Sequence, residues 1–143
     1  MCSILEFDKK FRQCNGAIGA IDGTLIPAFI PIARQKRFWS RKSNISQNVF
    51  AAFTFDGLFN YVLAGAEGSL HDSALLRRAL MKSFRLPEGR FYLADAGFGS
   101  RRGIIVPYTG TRYHQDWGET EQRPQIAQEI FNLRHSQLRT TVE

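Results

Sequence analysis

A chain of 143 residues is one domain's worth of polypeptide, long enough to bury a core unaided by disulfides or a structural metal. With 43% hydrophobic and 22% charged residues it is neither disordered nor collagenous; no run approaches the roughly 20 apolar residues of a membrane helix, and its start lacks the order of a signal peptide. The net charge of +6 is clustered: residues 114–143 carry three arginines against five acids, so the first 113 residues hold +8, which points to an anionic partner.

Gly16–Ile26 (GAIGAIDGTLI) is small and apolar around one acid and is predicted as a buried strand, bounded by Pro27. Asn48–Phe55 is dense in aromatic and apolar residues and predicts a second strand. Asp56-Gly57 then supplies a hairpin turn into a third, Leu58–Ala66. A helix follows, capped by Ser69 or His71, with Leu75, Leu76, Ala79 and Leu80 at helical spacing. Pro87-Glu88-Gly89 ends it. Phe91–Ala94 is a short strand that delivers Asp95, Ile104–Tyr108 another, and Thr109–Arg123 reads as a loop. The last helix opens near Pro124. Ile126, Ile130, Leu133, Leu138 and Val142 make its apolar stripe, while Asn132, His135, Arg139 and Glu143 share a polar face. The order β-β-β-α-β-(β)-α is a mixed α/β unit rather than an alternating doubly wound sheet. Cys2 and Cys14 form neither a disulfide framework nor a zinc quartet, and suit a reducing interior compartment.

Three carboxylates stand out. Asp22 sits inside an apolar strand, where an unpaired charge is costly; Asp95 ends a strand; Glu143 lies on the polar face of the last helix. Converging from separate elements, they would make an oxygen-rich pocket suited to Mg²⁺ or Mn²⁺, and two such ions can clamp a phosphodiester for in-line attack. Each acid could equally be a surface or capping residue. The segment Arg34–Lys42 holds Arg34, Lys36, Arg37, Arg41 and Lys42 with Phe38 and Trp39 and no acid. Its cations suit phosphates and its aromatics suit exposed bases; the alternative is a solvated loop with the aromatics packed inward. Arg77-Arg78 and Arg101-Arg102 are commonplace pairs.

Two other chemistries fail on the residues. The run Asp22-Gly23-Thr24 has Ala20 where haloacid-dehalogenase-like phosphatases place their nucleophile. Gly68–Ser73 (GSLHDS) lacks the second glycine of a nucleophile elbow. There Ser69 suits a helix cap, and His71 and Asp72 suit local organisation, within possible reach of the three acids.

Taken in order, Gly19–Thr24, Arg41–Asn48, Gly68–Ser73, Leu93–Phe98 and Phe131–Ser136 with Glu143 resemble the endonuclease domain of PIF/Harbinger-type transposases and the nucleases derived from them. The resemblance implies an RNase H-like fold, a metal-binding triad of Asp22, Asp95 and Glu143, and divalent-metal-dependent DNA cleavage. It gives His71 and Asp72 a supporting role, beside His135 and Arg139 on the helix that carries the glutamate. It further implies action in the nucleus (the cytoplasm being the alternative), possible homo-oligomers and a possible separate DNA-binding partner protein. Leu25 stands where the family usually has histidine, and Glu143 is the last residue where the family's helix continues. The expectation is therefore a single catalytic core over 1–143, shortened at its C-terminus and without the family's N-terminal DNA-binding region. The rival expectations are an inactive nucleic-acid-binding remnant and a domesticated protein-interaction domain.

Overall fold

The computed structural model describes residues 16–40, 44–111 and 126–140. Strand β1 covers Ala17–Pro27; its first half is buried and its last four residues run out into solvent. A 3₁₀ helix, Ile32–Phe38, leads to β2, Ser46–Phe53, which pairs antiparallel with β1 from Ala20↔Phe53 to Pro27↔Ser46. Thr54 and Leu58 close the next turn: the Thr54 N–H donates to the Leu58 carbonyl at 2.9 Å, with Gly57 at φ 79° between them. Asp56-Gly57 thus sits in a longer loop than a two-residue hairpin. Strand β3, Phe59–Glu67, returns antiparallel to β2.

Helix α1, Asp72–Lys82, carries the chain across one face of the sheet and buries Leu75, Leu76 and Ala79, the positions its spacing predicts. Strands β4, Phe91–Leu93, and β5, Ile104–Ile105, add on parallel, giving the order β3-β2-β1-β4-β5. This is a five-stranded mixed sheet in a mixed α/β chain. Helix α2 spans Ala127–Thr140.

Side-chain alternation along the strands splits the core into two layers. Beneath α1, Ile21 and Phe50 join Leu75, Leu76, Tyr92 and Phe98. Phe50 is fully buried and meets Phe84, Tyr61 and Phe98 edge-on, with ring centroids 5.1–6.2 Å apart. On the other face Ala20, Leu93 and Leu138 form a smaller cluster.

Helix α2 buries its polar face more deeply than most of its predicted stripe, of which Leu138 alone is fully buried among the described residues and Val142 lies outside them. Ile126 is half exposed and Ile130 and Leu133 only partly buried, whereas Asn132, His135 and Ser136 are buried with Leu138. The reason lies in the strand it meets. β5 is a two-residue strand followed by irregular backbone, and the N–H and C=O groups of Tyr108 lie beyond its ladder and take partners from the helix. Asn132 supplies both, accepting from the Tyr108 N–H at 2.8 Å and donating to the Tyr108 carbonyl at 3.1 Å. His135 Nε2 donates to the Ile105 carbonyl at 3.1 Å.

Candidate active site

β1 and β4 run parallel with Ala20 opposite Leu93. Two residues further along each strand stand Asp22 and Asp95, so the register brings both carboxylates to the same end of the sheet at equivalent positions. Alternation sends them to the face that carries Ala20, Leu93 and Leu138. The two acids share a local geometry. Asp22 Oδ1 accepts from the Gly23 N–H at 2.8 Å, and Asp95 Oδ1 accepts from the Ala96 N–H at 2.8 Å, capping a 3₁₀ turn over Ala96–Phe98. Arg139 reaches down from α2, its Nη1 3.3 Å from Asp95 Oδ1. The guanidinium is nearly buried while the Asp95 side chain is half exposed, so one side of that carboxylate faces protein and the other water.

A third carboxylate arrives at this end from the opposite layer. Asp72, in the first turn of α1, lies against Gly23 and Gly97. A methyl group at Gly23 would stand 3.3 Å from Asp72 Oδ1, and one at Gly97 only 2.6 Å from Oδ2. The glycines that follow Asp22 and Asp95 thus clear the space Asp72 occupies. Asn48, on β2 opposite Leu25, borders the same space: it donates through Nδ2 to the Leu70 carbonyl at 3.1 Å and keeps a buried Oδ1 with no hydrogen-bond partner. His71 is the N-cap residue of α1 by its backbone, with no hydrogen bond from its side chain to the helix end. Ser69 does not cap the helix; its hydroxyl donates to the Arg37 carbonyl at 3.3 Å.

On α2 the polar face runs Asn132, His135, Arg139, from the β5 backbone to Asp95. His135 is fully buried, with Nδ1 lacking a hydrogen-bond partner. Its pKa is lowered, chiefly by burial and further by Arg139; the bond to the Ile105 carbonyl and the charge of Asp95 act the other way. Glu143, four residues beyond Arg139, lies outside the described residues, and among those residues no group of three His, Cys, Asp or Glu is placed to hold a metal ion. Asp22 and Asp95 remain a donor pair of the right chemistry for a hard divalent cation.

The basic segment forms a 3₁₀ helix rather than an open loop. Arg34, Lys36 and Arg37 are exposed on it; Phe38 is partly buried and Trp39 is 48% exposed. Arg41 and Lys42 lie outside the described residues. Gly68 is what lets the turn seat here, since a methyl there would come within 2.8 Å of the Phe38 carbonyl and 2.4 Å of the Ser46 carbonyl.

A mixed sheet that sets two carboxylates side by side at the ends of neighbouring parallel strands is the frame of a nuclease-like α/β protein. Family comparison is in keeping with this: residues 21–143 match the DDE superfamily endonuclease, and the chain belongs to that family. No curated protein and no solved structure matches it. Membership points to nuclease or transposase chemistry on DNA, in a superfamily that generally uses divalent metals. Among the described residues no helix is long and apolar enough to cross a membrane. Sequence reading missed Asn48 as a site residue, although it closes one of the family-like segments; its signal was a polar residue directly before the apolar run Val49–Phe53 of a strand.

Proposed function

We propose that this chain is the catalytic core of a PIF/Harbinger-type transposase or a nuclease derived from one, with an RNase H-like fold, cleaving DNA phosphodiester bonds. The observation that carries the reading is that Asp22 and Asp95 each stand two residues past the in-register pair Ala20 and Leu93 of neighbouring parallel strands. The family match supports it, since it starts beside Asp22 and runs through Glu143.

In this reading Asp22, Asp95 and Glu143 hold Mg²⁺ or Mn²⁺. Such ions, once held there, would supply Lewis-acid chemistry for in-line attack on the phosphodiester. The protein's own groups fix the frame. The Gly23 and Ala96 N–H groups orient the two aspartates, and Arg139 pins Asp95 from α2 while offsetting part of its charge. Asn132 and His135 hold α2 in place for Arg139. Asp72 and His71 support the strand ends from α1. Arg34, Lys36, Arg37, Arg41 and Lys42 attract the DNA backbone and, in a cell, suit a nuclear address. A separate DNA-binding partner protein and homo-oligomers belong to the same reading.

The test is nicking of supercoiled DNA by the pure protein in Mg²⁺ or Mn²⁺. Asp95→Asn keeps the side chain's size and loses its charge, and nicking is expected to fall at least about 100-fold, the scale seen when one charge-stabilising group leaves an active site. Nicking by Asp95→Asn equal to the parent's would defeat the assignment. DNA binding without nicking or divalent-ion binding would instead identify a non-catalytic nucleic-acid-binding relative, the reading that Leu25 favours.

A further inference from the structure

The outer half of β1 and the 3₁₀ turn after it form a surface that phosphate contact alone does not account for. Phe29 is fully exposed, Ile32 is 87% exposed and Trp39 is 48% exposed, with Leu25 and Ile26 also open to water. Leaving so many large apolar groups together in water is unfavourable, and such a patch marks a binding surface. Cations share it. Arg34, Lys36 and Arg37 are exposed, and Arg34 and Arg37 fall on one side of the turn because residues three apart eclipse in a 3₁₀ helix. From Gly23 to Phe55 the chain has no acid at all.

The surface is held rigid from beneath. Ile45 is its keel: the Ala28 N–H donates to the Ile45 carbonyl at 3.2 Å, and Trp39 bridges Ile45 from the other side. The Ser40 N–H donates to the Asn44 carbonyl at 2.9 Å, Gln35 Nε2 donates to the Ile30 carbonyl at 3.0 Å, and Ser69 holds the Arg37 carbonyl. A cleft of about 510 Å³, walled by Phe29, Ile30, Pro31, Gln35 and Ile45, opens beside this framework.

We propose that this surface binds unpaired nucleotides, with Trp39 and Phe29 as stacking platforms for bases and Arg34, Lys36 and Arg37 on the phosphates, so that the chain selects frayed or single-stranded DNA next to a duplex. The inference deepens, and rests on, the reading of this segment as a nucleic-acid face. Paired bases hide their π-faces in the stack, whereas unpaired ones offer them, and stacking on an aromatic side chain is indifferent to sequence. Trp39, whose backbone pairs with Ile45, loses little freedom on binding. A second copy of the chain is a poor occupant, because a two-fold contact would set the same cations against one another with no acid to offset them.

The test is fluorescence anisotropy with three DNAs of one sequence: a blunt duplex, the same duplex with a five-nucleotide tail, and the tail strand alone. Tailed DNA is expected to bind about tenfold more tightly than blunt DNA. Phe29→Ala and Trp39→Ala should abolish that preference while leaving blunt-duplex affinity and its salt slope in place. Trp39→Leu keeps apolar area without a stacking face and should abolish it too. Phe29 is fully exposed, so its variant reports even if a Trp39 variant fails to fold. Salt-sensitive blunt-duplex binding with no gain from the tail overturns this inference and spares the nucleic-acid reading; no binding to any of the three overturns both. Variants that weaken blunt and tailed DNA alike, or that change only the sedimentation coefficient, also overturn it, the latter in favour of a protein occupant.

Discussion

Two glycines at the strand ends decide how close Asp72 can come to the aspartate pair. Each follows an aspartate, Gly23 directly and Gly97 two residues on, and each leaves open a volume that the Asp72 carboxylate borders. Ala at 97 would put a methyl 2.6 Å from Asp72 Oδ2, so either the carboxylate swings away or the turn that carries Asp95 shifts. Gly97→Ala is expected to destabilise the chain by about 1–3 kcal/mol, the usual cost of overpacking. Asp72→Ala removes the colliding oxygen, and in the double variant most of the Gly97→Ala cost should vanish. Thermal or urea unfolding of the four proteins in this cycle gives the coupling, expected at about 0.5–3 kcal/mol. Strictly additive effects would mean that the carboxylate does not occupy the space between the glycines.

At the scale of elements, the seam between α2 and β5 is polar where helix–sheet contacts are usually oiled by leucine. Its middle member, His135, is fully buried, donates through Nε2 to a carbonyl and keeps Nδ1 without a hydrogen-bond partner. Protonation would place a charge there without water, near Arg139, and Asp95 compensates only in part. The folded pKa therefore lies below histidine's ordinary value of 6.5. In the interval between the two values the unfolded chain binds more protons, so stability is present in full above pH 6.5 and drains away as pH falls through that interval. The thermal midpoint should drop between pH 7.5 and 5.5, and His135→Gln should lack that part of the drop; an identical pH profile in the variant would refute a buried neutral imidazole. The same seam shows what the sequence could reveal. Asn132, His135 and Arg139 were legible as one helix face from their spacing, and α1 from Leu75, Leu76 and Ala79. That the polar face turns inward was not legible, because the reason lies in the Tyr108 backbone, which Asn132 satisfies, and in a second bond on the Ile105 carbonyl, which already accepts from the Ala94 N–H; no helical periodicity encodes either. Asp22 was legible as an acid inside an apolar strand, and Asp95 as one at a strand end, but their side-by-side placement depends on the parallel register of two strands some 70 residues apart in the chain.

Across the whole molecule, charge and architecture agree. The sheet brings Asp22 and Asp95 to one end, and the chain from Gly23 to Phe55, which leaves that end, is wholly without acids. Negative groups gather at that end, and positive ones stand along the ribbon that continues from β1, where they would meet a polyanion. Net charge alone does not distinguish this from a uniformly basic protein, but salt does. Each phosphate neutralised contributes about −0.9 to the slope of log affinity against log salt on duplex DNA. Arg34, Lys36 and Arg37 account for about −2.7, and for about −4.5 if Arg41 and Lys42 also make contact. Changing Arg34, Lys36 and Arg37 together to Gln should therefore flatten the slope by about 2.7. Arg77→Gln with Arg78→Gln is the control, since it removes two exposed charges of α1 and should leave the slope as it was. Anisotropy titrations between about 50 and 200 mM salt would read both, a range over which several phosphate contacts change affinity by orders of magnitude. A slope that falls equally in the two variants would show that DNA senses the overall charge, and that the 3₁₀ ribbon has no privileged place in binding.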